Sequence, residues 1–198
     1  MIAEPAPAVD PRRQPAVPGA AKLGIKLLVA SLSMLFVASM FGYAMIRMRA
    51  PAWPPPGMPR LPRGLWISTV ILVAGSVAIE SALRAARRNR QPALRMTLAA
   101  TSTLGLAFLV SQGLNWFSLV AARLTVRTNL YGFTFYTLTG LHAVHVIGGL
   151  IPLGVVTARA FAGRYDASRH AGIEYTAIYW HFLDVVWLVM FAVLVVFG

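Results

Sequence analysis

The sequence predicts an all-α, polytopic membrane protein with five transmembrane helices. Of its 198 residues 58% are apolar, and the mean hydropathy of +0.66 is far above that of a soluble domain. Five long apolar runs each have the length needed to cross about 30 Å of hydrocarbon at about 1.5 Å per residue. The short connections between them carry Pro or Arg, which end helices or lie at the membrane surface.

The five runs lie at residues 23–46, 65–83, 94–120, 131–157 and 172–197. Residues 1–20 precede them and are rich in Pro and Ala, so we predict a disordered N-terminal tail. This tail is not a signal peptide, because no apolar core precedes a small-residue cleavage site. Residues 21–198 are therefore predicted to form one five-helix membrane domain.

The basic residues predict the orientation of the chain. Twelve of the 18 Lys and Arg residues fall on the side of the tail and of the second and fourth connections, and six fall on the other side. Because positive charge accumulates on the inner side of a membrane, we predict the N-terminus inside and the C-terminus outside. The net charge of +12 does not indicate nucleic-acid binding, because the basic residues separate apolar runs rather than line one helix face.

Composition also limits cofactor chemistry. The chain has no cysteine, which excludes disulfides, thiolate metal sites, Fe–S clusters and covalent c-type haem attachment. Only four histidines are available as axial haem ligands. These counts are too small for two haems and their copper partners in this chain.

Polar residues inside the last two runs are the strongest candidates for a site. Glu174, His181 and Asp184 share one helical face at positions i, i+7 and i+10, and His142 and His145 share another at i and i+3. All but Glu174 lie near the middle of the membrane, where a charged side chain costs about 3 kcal/mol. We expect these two polar ridges to contact each other, with Asp184 hydrogen-bonded to an imidazole or itself protonated.

Other interpretations of these residues remain open. The spacing of His142 and His145 suits a metal, but two imidazoles without a carboxylate or thiolate make a poor site. Asp184 could belong to a proton pathway or could join two helices as a hydrogen-bonding group. Glu80 and Arg84 are expected to form an ion pair near the inner membrane surface. Arg169 and His170 lie at the same surface and are candidates for binding lipid phosphate.

Two long motifs resemble subunit III of the haem–copper terminal oxidases. Residues 179–187 (YWHFLDVVW) are similar to the closing helix of that family, and residues 138–149 (LTGLHAVHVIGG) to its preceding helix. Residues 170–174 (HAGIE) resemble the start of the last helix, and residues 53–57 (WPPPG) resemble the first outer loop. The likeness extends from Gly24 to the C-terminus and fits the short, five-helix form of the family.

The resemblance implies a subunit without redox centres that packs against the catalytic subunit I of a respiratory oxidase. Haem and copper would reside in partner subunits, and this chain would hold no metal and no catalytic residue. This chain would bind phospholipid in a cleft between helices and sustain assembly and proton-coupled O2 reduction. The expected location is an energy-conserving membrane, and the Ala- and Arg-rich composition favours a bacterial inner (cytoplasmic) membrane.

Three positions depart from the family pattern. Leu32 and Asn115 stand where the family often has Glu, and Glu80 stands where it often has His. These differences leave open an accessory subunit of a quinol oxidase or of a nitric oxide reductase. An independent small transporter or proton channel is a further alternative, although no helix pair shows matching Gly or Pro interruptions.

Overall fold

The computed structural model describes residues 19–59 and 61–197, and they form five α-helices. Within these ranges no strand is present, which confirms the all-α prediction. All five helices are long and apolar enough to cross a membrane. The predicted disordered tail lies outside the described residues except for Gly19 and Ala20. The helices are α1 (Ala20–Arg49), α2 (Gly64–Arg87), α3 (Gln91–Ala121), α4 (Leu130–Phe161) and α5 (Ala171–Phe197).

Helices α2, α3 and α4 end in the same way. Each is followed by a residue with positive φ, respectively Asn89 at 52°, Arg123 at 62° and Gly163 at 68°. The next backbone N–H in each case donates to the carbonyl five residues earlier, as in Arg90 to Ala85. This C-terminal motif satisfies carbonyls that the helix leaves unpaired and turns the chain sharply into the next connection.

Helices α2 to α5 form a closed ring, in which α2 packs on α3, α3 on α4, α4 on α5 and α5 on α2. Trp180 of α5 crosses the middle of this ring. A Cβ atom added to Gly105 of α3 would lie 2.6 Å from its Cη2 atom, and one added to Gly75 of α2 would lie 3.4 Å from its Nε1 atom. Glycines on α2 and α3 therefore make the space that the large indole fills.

Helix α1 lies outside the ring and packs on α4 and α5 only. Of its residues, only Phe36 and Tyr43 are buried. Phe36 inserts between the rings of His145 and Phe182, with centroid distances of 5.2 and 6.2 Å. The ring of four helices thus places the polar residues of α4 and α5, and α1 covers one side of them.

Candidate functional site

His142 is completely buried among aromatic rings. Its ring centroid lies 5.1 Å from that of Trp187, 5.7 Å from that of Phe108 and 6.3 Å from that of Phe36. Neither ring nitrogen has a hydrogen-bond partner among the described residues. The contact between α4 and α5 at this level is therefore aromatic packing rather than the polar pairing expected from the sequence.

His145 is bonded within its own helix. Its Nδ1 atom lies 2.7 Å from the carbonyl oxygen of Leu141. Because a carbonyl can only accept, Nδ1 carries the proton of this bond. The backbone carbonyl of His145 in turn accepts a hydrogen bond of 3.2 Å from the Tyr179 hydroxyl of α5.

His181 points to α2 instead of α4. Its Nδ1 atom and the Ser76 hydroxyl share a hydrogen bond of 2.7 Å, and its Nε2 atom lies 3.7 Å from a carboxylate oxygen of Glu80. Asp184 is buried, with one oxygen 3.9 Å from Nδ1 of His181, and its oxygens have no hydrogen-bond partner among the described residues. The expected hydrogen bond from Asp184 to an imidazole is thus not formed.

The reason lies in the position of α5, which has α2 on one side and α4 on the other. Residues three apart on a helix differ by about 60° around its axis, so His181 can face α2 while Asp184 turns inward. On the side toward α4, Tyr179 packs directly on Gly149, where an added Cβ would lie 2.9 Å from the ring. Close packing by Tyr179 occupies the surface that the two polar ridges were expected to share.

Glu174 does not join this cluster. It lies in the first turn of α5, half-buried and seven residues before His181, which is about 10 Å along the axis. The predicted ion pair of Glu80 and Arg84 is present, with a nitrogen–oxygen distance of 3.8 Å and both side chains about half exposed. An exposed i, i+4 pair of this kind contributes little to stability.

A second polar cluster, which the sequence interpretation missed, joins the first half of α2 to the second half of α3. The hydroxyls of Ser68 and Ser111 lie 2.7 Å apart, and the Asn115 amide donates to Ser68 over 3.1 Å. Gly64 permits this contact, because a Cβ there would overlap the Asn115 amide oxygen. At the next residue of α2, the Thr69 hydroxyl accepts a hydrogen bond of 2.9 Å from the indole N–H of Trp187 on α5. The spacing of polar residues on α2 (68, 69, 76 and 80) was the available signal for a polar helix face.

Arg169 and His170, the predicted lipid ligands, lie in the connection between α4 and α5. The Arg169 guanidinium forms an ion pair with Asp166, with Nη2 2.9 Å from the carboxylate. Hydrogen bonds from the Ser168 hydroxyl and then from Arg169 hold the pKa of the Asp166 carboxyl well below its usual range. The His170 carbonyl accepts bonds from the backbone N–H groups of Ile173 and Glu174, and so caps α5.

The described residues contain no group of three or more His, Cys, Asp or Glu side chains arranged to hold a metal ion. What the geometry offers is a set of hydrogen bonds and aromatic contacts between helices. Comparison with known proteins supplies the context for this arrangement. The sequence model for cytochrome c oxidase subunit III matches residues 7–198.

The chain belongs to the cytochrome c oxidase subunit III family.

Three relatives illustrate the match. Cytochrome c oxidase subunit 3 of Synechocystis sp. is 35% identical over 85% of this chain and 72% of the relative. That of Thermostichus vulcanus is 32% identical over 87% of this chain and 85% of the relative. A probable cytochrome c oxidase subunit 3 of Mycobacterium leprae is 31% identical over 83% of this chain and 82% of the relative.

Membership of the cytochrome c oxidase subunit III family confirms the resemblance drawn from the two motifs. The chain is an integral membrane protein and an accessory subunit of a haem–copper oxidase. Oxidase activity belongs to the complex, and this subunit itself is non-catalytic. The names of these relatives do not favour a nitric oxide reductase or an independent transporter.

Asn115, at a position where the resemblance implies Glu, is hydrogen-bonded to a neighbouring helix. At position 115, a carboxylate could not donate to Ser68 as the Asn115 amide does. The neutral Asn115 amide therefore joins α3 to α2 through a hydrogen bond.

Proposed function

We propose that this chain supports assembly of a respiratory terminal oxidase of the cytochrome c oxidase type, binds phospholipid, and sustains proton-coupled O2 reduction by the catalytic subunit. Haem and copper are carried by subunit I and the other partners. His142, His145, Glu174, His181 and Asp184 then serve the packing of helices rather than a reaction. One observation carries this proposal: two ionisable side chains, one at membrane depth and one nearer the membrane surface, are left half exposed on the ring of helices.

These side chains are Glu80 and His181, which with Ser76 form what we call the polar face. The side chains of Glu80 and His181 are 43% and 40% exposed. His181 lies ten residues into α5, which is about 15 Å from its start. Facing lipid at that depth is costly for an ionisable group, so such residues face protein or a water-filled space.

Helix α1 does not cover the polar face, because it packs on α4 and α5 and not on α2. The Glu80 carboxylate is an acceptor of hydrogen bonds. A complementary partner is a transmembrane helix that presents a donor, such as an amide, a hydroxyl or a basic side chain. We assign this role to a helix of the catalytic subunit.

The test is purification of the tagged chain in mild detergent, followed by an optical spectrum and identification of co-purifying polypeptides. We expect a haem-bearing partner with the wild-type chain and reduced retention of it with Glu80→Leu. Ser39→Leu, which alters an exposed hydroxyl on α1, is the matched control and should retain the partner. A wild-type chain that purifies alone and stable would contradict the proposal.

The same preparation addresses the electron donor. Oxidation of reduced cytochrome c by the purified complex supports the cytochrome c oxidase type, whereas activity with quinol alone indicates a quinol oxidase.

We also propose the N-terminus inside and the C-terminus outside, in a bacterial inner membrane. A reporter enzyme active only outside the membrane should work when fused after Phe197 and fail when fused before Met1.

Arg169 and His170 are proposed to bind lipid phosphate. The Arg169 side chain is 79% exposed, so its guanidinium can reach a phosphate although Asp166 already binds it. Native mass spectrometry should detect a loss of bound phospholipid in Arg169→Ala. Unchanged lipid retention would remove this pair of residues from the proposal.

A further inference from the structure

A small cavity of about 220 Å³ lies between the end of α2 and the start of α3. Three arginines line it, Arg84 from α2 and Arg88 and Arg90 from the connection that follows it. The small side chains of Ala85 and Ala93 leave the space between the helices open. We call this feature the arginine cavity.

The charge in the arginine cavity is poorly neutralised by the protein. Arg84 is 3.8 Å from Glu80, which is a loose pairing. Among the described residues, the side chains of Arg88 and Arg90 form neither an ion pair nor a hydrogen bond. Elsewhere, by contrast, Arg169 pairs with Asp166 and Arg95 donates to the Ala160 carbonyl over 3.2 Å.

The cavity also has the right depth for a group at a membrane surface. Its wall reaches from the charged connection back to Ser81 on α2 and forward to Thr97 on α3. Each of these lies six residues from its helix end, which is about 9 Å. Three guanidiniums at the mouth and apolar or hydroxyl side chains below match a phosphate joined to a less polar glycerol backbone.

We propose that the arginine cavity binds the phosphate group of an anionic phospholipid. Guanidinium groups bind phosphate oxygens through paired N–H donors, and basic pockets between transmembrane helices bind anionic headgroups. The site differs from the one proposed at Arg169 and His170, and it does not depend on which oxidase the chain serves. The same guanidinium groups could bind inorganic phosphate from solution, so the test must distinguish a lipid headgroup from a soluble phosphate ion.

The experiment uses the full chain in its purified native complex, with native mass spectrometry during titration by phosphatidylglycerol. We compare wild type with Arg88→Ala/Arg90→Ala and use Arg87→Ala as the control, because Arg87 is exposed in the same segment but does not line the cavity. Each basic residue near a membrane surface changes anionic lipid affinity by about fivefold. We expect one phosphatidylglycerol to bind about 25-fold more weakly in the double variant and unchanged in the control.

Two further binding measurements identify the ligand. Phosphatidylcholine, which has no net charge, should occupy the site less than phosphatidylglycerol, and inorganic phosphate at equal concentration should not displace the lipid. Arg88→Lys/Arg90→Lys keeps the charge and should recover part of the affinity, which separates binding from a folding defect. Equal lipid binding in wild type and the double Ala variant, or displacement by inorganic phosphate, would overturn the proposal.

Discussion

The His181 imidazole and the Ser76 hydroxyl share a hydrogen bond of 2.7 Å that joins α5 to α2. His181 lies in one of the two long motifs that resemble the family, and its partner is a serine on a helix about 105 residues earlier in the sequence. With Glu80 one helical turn beyond Ser76, this bond fixes the imidazole on the polar face rather than in the interior of the ring. It is therefore both a contact within the chain and the means by which that face is presented to a partner.

Ser76→Ala should weaken the contact between α2 and α5. Hydrogen bonds between transmembrane helices contribute about 0.6 kcal/mol on average and up to about 1.7 kcal/mol. A loss of this size lowers the melting temperature by roughly 2–6 °C for a chain of this length. Thermal unfolding in detergent measures it.

Ser39→Ala is the control for that measurement. The Ser39 hydroxyl is exposed and donates over 2.8 Å to the Leu35 carbonyl of its own helix, so no other helix loses a partner. We expect its melting temperature to equal that of wild type. If both variants melt alike, the Ser76–His181 bond does not stabilise the bundle.

The helices were predictable because a single signal, the length of an apolar run, determines them. The run at residues 23–46 became Ala20–Arg49, since a helix continues past hydrocarbon into the charged surface. The pairing of side chains was not predictable from periodicity. His181 and Asp184 share a face on a helical wheel, but α5 has two neighbours in the ring, and the pattern does not say which neighbour each residue meets.

The glycines near the histidines of α4 also show that the sequence does not reveal which positions contact a neighbouring helix. By composition alone the glycines of α4 are equivalent candidates for close helix packing, and the structure distinguishes them. A Cβ at Gly149 would lie 2.9 Å from the Tyr179 ring, whereas one at Gly140 would meet nothing within 4 Å. Only contacts with the neighbouring helix distinguish these two positions.

Gly149→Ala should therefore destabilise the protein by about 1–3 kcal/mol, the usual cost of overpacking. Gly140→Ala, on the same helix, should be neutral or stabilising by up to about 1 kcal/mol, because Ala favours a helix over Gly. Melting temperatures of the two variants provide the comparison. Equal destabilisation would mean that Tyr179 does not define the contact of α4 with α5.

Asn115→Glu, which introduces the residue that the family resemblance implies at this position, should destabilise this chain. The longer side chain must enter a space where α2 already approaches closely at Gly64, and it lacks the amide that donates to Ser68. Overpacking of this kind costs about 1–3 kcal/mol. Denaturant or thermal unfolding measures the change, and a stability equal to wild type would show that α2 can move away.

Asp166 should make the connection between α4 and α5 sensitive to acid. Its carboxylate accepts from the Ser168 hydroxyl and the Arg169 guanidinium, so its pKa is lowered from the ordinary 3.8. A lowered pKa in the folded state means stabilisation that is present above the ordinary pKa and is lost as the pH falls through the lowered one. Asp166→Asn should therefore melt below wild type at neutral pH, and the difference should shrink below about pH 4. A difference that is independent of pH would contradict the role of the charge.

His142→Phe should leave both stability and haem content unchanged. The imidazole is fully buried between Phe108 and Trp187, and its nitrogens have no hydrogen-bond partner among the described residues. Removing a buried polar group that lacks a partner costs little, and an aromatic ring of similar shape retains the packing. His142→Ala, by contrast, leaves a cavity and should destabilise by about 2–5 kcal/mol, as truncation of buried side chains does. Haem iron per complex should equal that of wild type in both variants, because the proposed function places the haem ligands in a partner subunit. Loss of haem iron in His142→Phe, with the melting temperature unchanged, would assign this imidazole to the metal chemistry of the oxidase instead.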